Sequence, residues 1–408
     1  MINICYCVHI KRYSYLYLLA SSISSILNNT KECVVINIFH NASFIDEYKT
    51  KFTELVAKYG QKIKFYFVDE TKFKELSLIE KIVPKYQIDV YSISSFYRLL
   101  IWNFLDENVE KYIYLDVDTI VNLDISTLFN EQLGDYPLGA IPEFELNHRE
   151  VVELYNALLV KHNIIPMEKY FNTGIMLFNL KKFKQEYTNF LSYSLERYNK
   201  FNGHLPDQDL LNIYFYDNYK HLELKYNTFV RIERSLNIYE INNCIYHYVG
   251  SSLFKNKFCD MYDELFLDNF SRTNFFNYIM IKNLIGSFNK VYVETRSNFI
   301  NILNCFRKIN IVIFFDLAYE NFVKKNFNNI PALKIKVKGK ILLLNNILDF
   351  LKKSKETTII FFTDHYKIIK SNLIKRRIIE DKNCIDGLEI VGKHDEKINQ
   401  ILTNIFYN

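Results

Sequence analysis

Two aspartates, Asp116 and Asp118, stand at the end of the run Tyr112-Ile-Tyr-Leu-Asp-Val-Asp-Thr-Ile-Val121. The residues before them form an apolar strand, and on an extended backbone positions i and i+2 point the same way. Two carboxylates facing one way repel each other unless a cation lies between them. A hard divalent ion accepts carboxylate oxygens and keeps positions open for phosphate. The pair, with Val117 between, is therefore a candidate seat for a metal-bound diphosphate. An isolated pair of this kind is a weak signal, because two solvated turn aspartates look the same. Other polar residues add weight. Asn172 lies in Tyr170-Phe-Asn-Thr-Gly-Ile-Met-Leu-Phe-Asn179, a polar turn feeding an apolar strand. Pro206-Asp-Gln-Asp-Leu-Leu-Asn212 opens a helix with a dense polar cluster, and His247 sits in the aromatic segment Tyr246-His-Tyr-Val-Gly250. Each has a plain structural reading too. Asn172 could satisfy a turn, Asp207 could be a first-turn carboxylate favoured by the helix dipole, and His247 could be a core ring bonded to backbone.

These side chains need a scaffold. Strand patterns are expected at 2–8, 33–40, 62–69 and 111–118, with helical stretches at 13–27, 43–59 and 93–105. The stretch 13–27 follows Lys11-Arg12 and has the look of a secretion signal. A strand precedes the basic pair, however, and Leu16, Leu19, Ile23 and Ile26 keep helical spacing, so it reads as a helix packed on a sheet. Strands separated by helices imply βαβ units, hence a largely parallel sheet with right-handed crossovers. Ligands of such sheets gather beyond the carboxyl ends of the strands. That rule points at His9, Asp69 and the 116–118 turn. Further strands are expected at 137–143 and 174–180, a short terminal strand or loop at 245–250, and helices at 147–161, 181–199 and 207–216. After a helical connector at 263–288, alternation restarts with strands at 310–316, 332–337 and 357–364 and helices at 318–326, 341–353 and 366–377. The expected organisation is a domain at 1–262, the connector, and a small α/β domain at 289–408.

The chain has 408 residues, 49% hydrophobic and 24% charged, which excludes disorder as its main state. A net charge of +5 is mild for this length and implies no nucleic-acid partner. The 31 Tyr and 34 Phe, with abundant Asn, Ile and Lys, read as an A/T codon bias rather than a binding signature, since an aromatic platform would need them clustered. Seven cysteines without a CxxC pair read as buried free thiols in a reducing compartment. No apolar run reaches the roughly 18–20 residues that span a bilayer. The expected location is cytoplasmic, with at most a peripheral contact with the inner membrane.

In order and spacing these blocks resemble the retaining glycosyltransferases of family 8, the group of glycogenin and the bacterial lipo-oligosaccharide galactosyl- and glucosyltransferases. SISSFYRLLIWNFL followed by YIYLDVDTIV, then LGAIPEF, YFNTGIMLFNLKKF and LPDQDLLN carry the likeness, and HYVG matches in part. It covers about residues 1–262. The resemblance implies a GT-A type, Rossmann-like mixed sheet with flanking helices. It implies transfer of a hexose from UDP-glucose or UDP-galactose to a glycan or glycolipid acceptor, with Mn²⁺ or Mg²⁺ stabilising the departing UDP. Carried over, Asp116, Asp118 and His247 would be the metal ligands. Arg98 would reach the donor sugar or its phosphates. Asn172 and Asp207 would bind sugar hydroxyls, Gln208 would lie beneath the anomeric carbon, and Glu143 would stand near the sugars. His9, Val117, Gly250 and Lys255 would complete the donor site.

Two blocks depart from the pattern. Cys7-Val-His-Ile-Lys-Arg-Tyr13 lacks the Asn-Tyr that grips uridine in relatives, which leaves His9 to stack or hydrogen-bond. The usual HxxGxxKPW becomes His247-Tyr-Val-Gly-Ser-Ser-Leu-Phe-Lys255, so Lys255 or Lys257 would supply the phosphate-neutralising cation after a local insertion. Gln208 is a neutral amide and a poor nucleophile, and Asp209 is the nearest carboxylate in the chain. Front-face attack within an ion pair is the expected route, with the leaving phosphate as base. A sugar nucleotidyltransferase would need a Gly-rich basic loop after the first strand, and VHIKRYSY contains no glycine. A degenerate transferase-like domain kept for binding or scaffolding is the alternative that the two altered blocks leave open. The C-terminal residues carry no comparable motif. They read as a packing or acceptor-positioning domain, with Lys375-Arg376-Arg377 as a solvated helix end.

Overall fold

The computed structural model describes residues 1–146, 165, 167–198, 205–238, 240–250, 253 and 260–275, the strands named below between residues 311 and 386, and residues 370, 371 and 374. The chain forms two compact units, Met1–Leu253 with Arg272–Asn274, and Phe254–Ser271 with Phe275–Asn408.

The first unit is built on a seven-stranded mixed sheet. In chain order its strands are β1 (Ile2–Val8), β2 (Val34–His40), β3 (Lys62–Phe67), β4 (Lys111–Leu115), β6 (Leu138–Pro142), β7 (Phe171–Asn179) and β8 (Lys220–His221). In space the order is β3-β2-β1-β4-β7-β6-β8. β1 runs parallel to β2 and β4, and β2 runs parallel to β3, while β7 lies antiparallel between β4 and β6. Every residue of β1 and β2 is buried, as expected for inner parallel strands covered on both faces. The edge strand β3 begins by alternating exposed Lys62 and Lys64 with half-buried Ile63 and Phe65. Helices α1 (Tyr13–Asn29) and α2 (Asp46–Ala57) make the first two crossovers.

A small second sheet carries much of the site. It contains β5 (Thr119–Val121), β9 (Thr228–Phe229) and β10 (Ile245–His247), in the order β5-β10-β9. Helix α1 fastens β5 through small buried hydroxyls. Ser22 Oγ bonds Tyr6 Oη at 2.7 Å and Thr119 Oγ1 at 3.0 Å, and Ser25 Oγ accepts the Val121 N–H at 2.9 Å. Serine side chains on this face let the helix approach the strands closely while their hydroxyls stay satisfied.

The expected strands of this unit all form, with adjusted ends. Several other expectations change. The stretch 93–105 is two 3₁₀ turns, Ile93–Leu99 and Ile101–Asn103, entered through Ser92 at φ +75°. The helix expected at 181–199 is two, Leu180–Glu186 and Phe190–Tyr198. Two short helices, α3 (Lys74–Ile82) and α4 (Lys85–Tyr91), fall where none was expected, with Pro84 between them. Cys5, Cys7 and Cys244 are buried free thiols, whereas Cys33 is exposed. Among the described residues no helix is long and apolar enough to cross a membrane.

In the second unit, Met261–Ser271 is helical. The strands β11 (Ile311–Phe315), β12 (Ala332–Lys334), β15 (Thr358–Phe362) and β16 (Cys384–Asp386) form a parallel sheet in the order β12-β11-β15-β16. A helix was expected from 341, but β14 (Ile341–Leu342) pairs antiparallel with β13 (Val337–Lys338). The helices expected at 147–161 and 318–326, and most of those expected at 341–353 and 366–377, lie outside the described residues.

Candidate active site

β4 ends at Leu115, the chain turns through Asp116-Val117-Asp118, and β5 begins at once. The antiparallel register of β5 with β10 sets His247 opposite Thr119. That pairing delivers an imidazole from more than a hundred residues away to the two aspartates. His247 Nε2 lies 3.3 Å from Asp118 Oδ1 and 3.8 Å from Asp116 Oδ2. One ligand atom from each of the three residues falls within 4.8 Å of the others. Two carboxylate oxygens and one imidazole nitrogen are a donor set that fits a hard or borderline divalent ion such as Mn²⁺ or Mg²⁺.

The electrostatics are those of a tightly packed charged cluster in which Asp116 and Asp118 are half-buried and His247 is buried. Burial raises the Asp116 pKa above the usual carboxylate value, and Asp118 beside it adds to the rise, against the pull of Arg98 and His247. Burial works against the Asp118 charge as well, but His247 outweighs it and holds that carboxyl low. For His247 itself, burial disfavours the cation, and Asp118 and Asp116 more than compensate, lifting it above the ordinary imidazole range.

Arg98 is the counterion at the centre. Its Nη2 donates to Asp116 Oδ1 at 2.9 Å, its Nε faces Asp207 Oδ2 at 3.3 Å, and its Nη1 donates to Thr173 O and Oγ1 at 3.0 Å. The guanidinium also lies over the Tyr114 ring at 4.6 Å. Tyr114 Oη donates to the same Asp116 Oδ1 at 2.7 Å, so Oδ1 is held by two donors while Oδ2 faces His247. Burial disfavours the Arg98 charge, yet Asp116, Tyr114 and Asp207 raise its pKa above the usual guanidinium value. Removing this cation leaves two carboxylates without it. Arg98→Met is expected to destabilise the first unit by about 3 kcal/mol, the cost typical of breaking a buried pair from one side. Urea unfolding of the purified chain checks this; a loss under 1 kcal/mol would show that the pair is dispensable.

A second cluster adjoins the first. Asn172 Nδ2 donates to Glu143 Oε2 at 2.9 Å and to Gln208 Oε1 at 3.2 Å, and Gln208 Nε2 reaches Glu143 Oε2 at 3.3 Å. Gln208 Oε1 also accepts the Thr173 N–H at 3.1 Å. The helix Pro206–Phe215 is pinned to the start of β7 by Asn212, whose amide accepts from Phe171 N and donates to Phe171 O, both at 2.8 Å. Asp209 is committed elsewhere: its carboxylate accepts from Tyr170 Oη at 2.6 Å and from Leu205 N at 3.1 Å.

Of the sequence-derived candidates, Arg98, Asp116, Asp118, Glu143, Asn172, Asp207, Gln208 and His247 come together through these contacts. Val117 is half-buried between the two aspartates. His9 directly follows β1 and bonds Ser92 Oγ at 3.0 Å through Nδ1, outside this network. Burial and Lys11 push its pKa below the usual imidazole value. Asp69 caps the turn Glu70–Lys72 by accepting from Thr71 N. Gly250 follows β10 in a turn at φ +67° and is exposed. Lys255 and Lys257 lie outside the described residues.

Glycosyl transferase family 8 matches residues 5–253, more than half of the chain and the whole of this site. The chain belongs to that family. Among its relatives, a Haemophilus influenzae protein that carries a glycosyltransferase name is 31% identical over 249 residues, 59% of this chain and 70% of its own length. The lipopolysaccharide 1,2-glucosyltransferase of Escherichia coli is 30% identical over 223 residues, 52% of this chain and 59% of that enzyme. Among solved structures, the galactosyltransferase LgtC in complex with donor and acceptor sugar analogs superposes with a TM-score of 0.52 at 20% identity. The match covers 67% of this chain and 96% of LgtC. It shows the GT-A type fold of family 8.

Five residues that the sequence did not single out bear on the family 8 site: Tyr114, Thr173, Gly174, Asn212 and Asn227. Tyr114 had a signal, since it sits two residues before Asp116 on the same strand face. Asn212 had one too, at i+4 from Gln208 on one helix face. Asn227, in the featureless Leu224-Lys-Tyr-Asn-Thr228, had none.

Proposed function

We propose that this family 8 member is a retaining hexosyltransferase that moves glucose or galactose from a UDP-sugar to a glycan or glycolipid acceptor. The convergence of Asp116, Asp118 and His247 beside the Asn172-Gln208-Glu143 cluster carries this reading. Asp116 Oδ2, Asp118 Oδ1 and His247 Nε2 would hold Mn²⁺, with Mg²⁺ as the lesser alternative. When bound, the ion supplies Lewis-acid neutralisation of the diphosphate as negative charge grows on it.

The rest is done by the chain. Asn172, Glu143 and Asp207 present fixed polar atoms that orient sugar hydroxyls, and Gln208 stands beneath the anomeric carbon. Transfer breaks the bond from the anomeric carbon to the β-phosphate oxygen and forms one to the acceptor oxygen, whose proton passes to the leaving phosphate. Retention then follows from attack on the face that UDP leaves. Double displacement would need a free carboxylate beneath the sugar. Asp209 is bound by Tyr170 and by the Leu205 N–H, and Gln208 is an amide, so front-face attack is the route that suits this site. Residues 1–262 would carry the reaction, with 289–408 as a packing or acceptor-positioning domain. The expected setting is cytoplasmic, with peripheral contact at the inner membrane where a glycolipid acceptor would lie.

Donor hydrolysis with UDP-glucose and UDP-galactose tests the proposal. Turnover is expected with Mn²⁺, a fall to background after EDTA, and recovery when Mn²⁺ is restored. Inert protein that still binds UDP would favour the degenerate binding module. Turnover indifferent to chelation would remove the metal from the account.

A further inference from the structure

Asn227 is fully buried between the two clusters. Its Oδ1 lies 3.0 Å from His247 Nδ1, and its Nδ2 donates to Asn172 Oδ1 at 2.9 Å. The direction of these bonds follows from one group that cannot be reversed. The Gly174 N–H, a backbone donor, points at Asn172 Oδ1 at 3.0 Å. The Asn172 atom facing it must therefore be the carbonyl oxygen, and the other end, facing Glu143 Oε2, must be the amino group. The Asn227 atom that meets Asn172 Oδ1 must then be a donor, Nδ2. Its Oδ1 is thus turned to His247, and the ring nitrogen that it meets must carry hydrogen. The neutral imidazole is left with its lone pair on Nε2, the nitrogen that faces Asp116 and Asp118.

We propose that Asn227 is a positioning residue that holds the proton of His247 on Nδ1, aims Nε2 at the two aspartates, and ties this ring to Asn172 and through it to Gln208. Two further contacts keep the ring from turning away. Phe229 meets it edge-on, with centroids 5.4 Å apart and planes at 81°. Gly174 lets the ring lie against β7 where any side chain would strike it. Ligand histidines generally owe their orientation to such a partner on the second nitrogen. Here the partner is an amide, and its other end reaches the residues beneath the sugar.

The metal part of this inference rests on the proposed reading of the site; the tautomer part does not. Asn227→Leu keeps the branched skeleton of the side chain and removes both bonds. Asn227→Asp keeps an acceptor for Nδ1–H but sets a carboxylate oxygen against Asn172 Oδ1. Calorimetric or spin-resonance titration of metal-free protein with Mn²⁺ should show about 10- to 100-fold weaker binding for Asn227→Leu. Asn227→Asp should bind Mn²⁺ within about threefold of wild type while its kcat for donor hydrolysis falls about tenfold or more. Wild-type affinity in Asn227→Leu would overturn the proposal, as would equal loss of Mn²⁺ binding in both variants. If the wild type binds no Mn²⁺, the metal reading fails, and ¹⁵N spectra of the neutral His247 ring still decide the tautomer. Nδ1–H in wild type with a mixture in Asn227→Leu supports the inference; Nε2–H in wild type overturns it. His247→Gln assigns the signal.

Discussion

Gly174→Ala is expected to abolish metal-dependent turnover in a protein that still folds. The new methyl carbon would stand 2.2 Å from His247 Cε1 and 3.0 Å from both His247 Nδ1 and Asp116 Oδ2. No atom in that set is the loose end of a flexible chain. His247 is held by Asn227, by the Phe229 ring and by the β5–β10 pairing. The backbone of Gly174 is equally fixed, since its carbonyl accepts the Asp116 N–H at 2.7 Å. The imidazole must therefore leave its place, and the ligand set opens. Displacement of a positioned group by about 1 Å costs on the order of 10²-fold in rate, and this displacement is larger. Overpacking typically costs about 1–3 kcal/mol, so the domain should survive. Donor hydrolysis, Mn²⁺ binding and a thermal melt should be read together. Activity within threefold of wild type would show that the ring is not a ligand.

How far this site could be read from the sequence depends on how each residue signals itself. Asp116 and Asp118 announce themselves because they interrupt an apolar strand, and His247 because it is the polar residue in an aromatic one. Strands β1, β2 and β4 were plain for the same reason, as inner strands with continuous apolar runs. The start of β7 was less so. Asn172 and Thr173 look like a turn, yet both lie inside the strand and are buried, because Glu143, Gln208 and Arg98 satisfy their polar atoms. Strand polarity that is paid for across 29 or more residues cannot be seen locally. The helix expected at 93–105 failed for a related reason. Its apolar spacing is helical, but Arg98 must reach Asp116, Asp207 and Thr173 together, and the segment does so in the tighter 3₁₀ form. Asn227 is the extreme case. It is an ordinary asparagine after a short turn, and only the parallel pairing of β9 with β10 brings it to His247. The α3–α4 region was missed because nine- and seven-residue helices broken by Pro84 offer too few turns for a period to show.

Asp118→Ala is expected to lower kcat for donor hydrolysis on the order of 10³-fold, since a loss of about 4 kcal/mol of leaving-group stabilisation has that size. Asp116 cannot take over. Its Oδ1 is bound by Arg98 and Tyr114, which leaves Oδ2 as its one oxygen facing His247. The same geometry predicts that folding stability barely moves. The variant loses the 3.3 Å contact between Asp118 and His247 but also loses the repulsion that Asp118 exerts on the half-buried Asp116. These two effects oppose each other, so the change should stay within about 1 kcal/mol, as is usual for substitutions without a cavity or an orphaned charge. A large activity loss with unchanged stability separates a chemical role for Asp118 from a structural one. Mn²⁺ titration of the same protein adds the deciding comparison. Binding should weaken in step with kcat if the carboxylate acts through the ion. Intact Mn²⁺ affinity with lost turnover would instead place Asp118 on the donor itself and return the third ligand position to another residue.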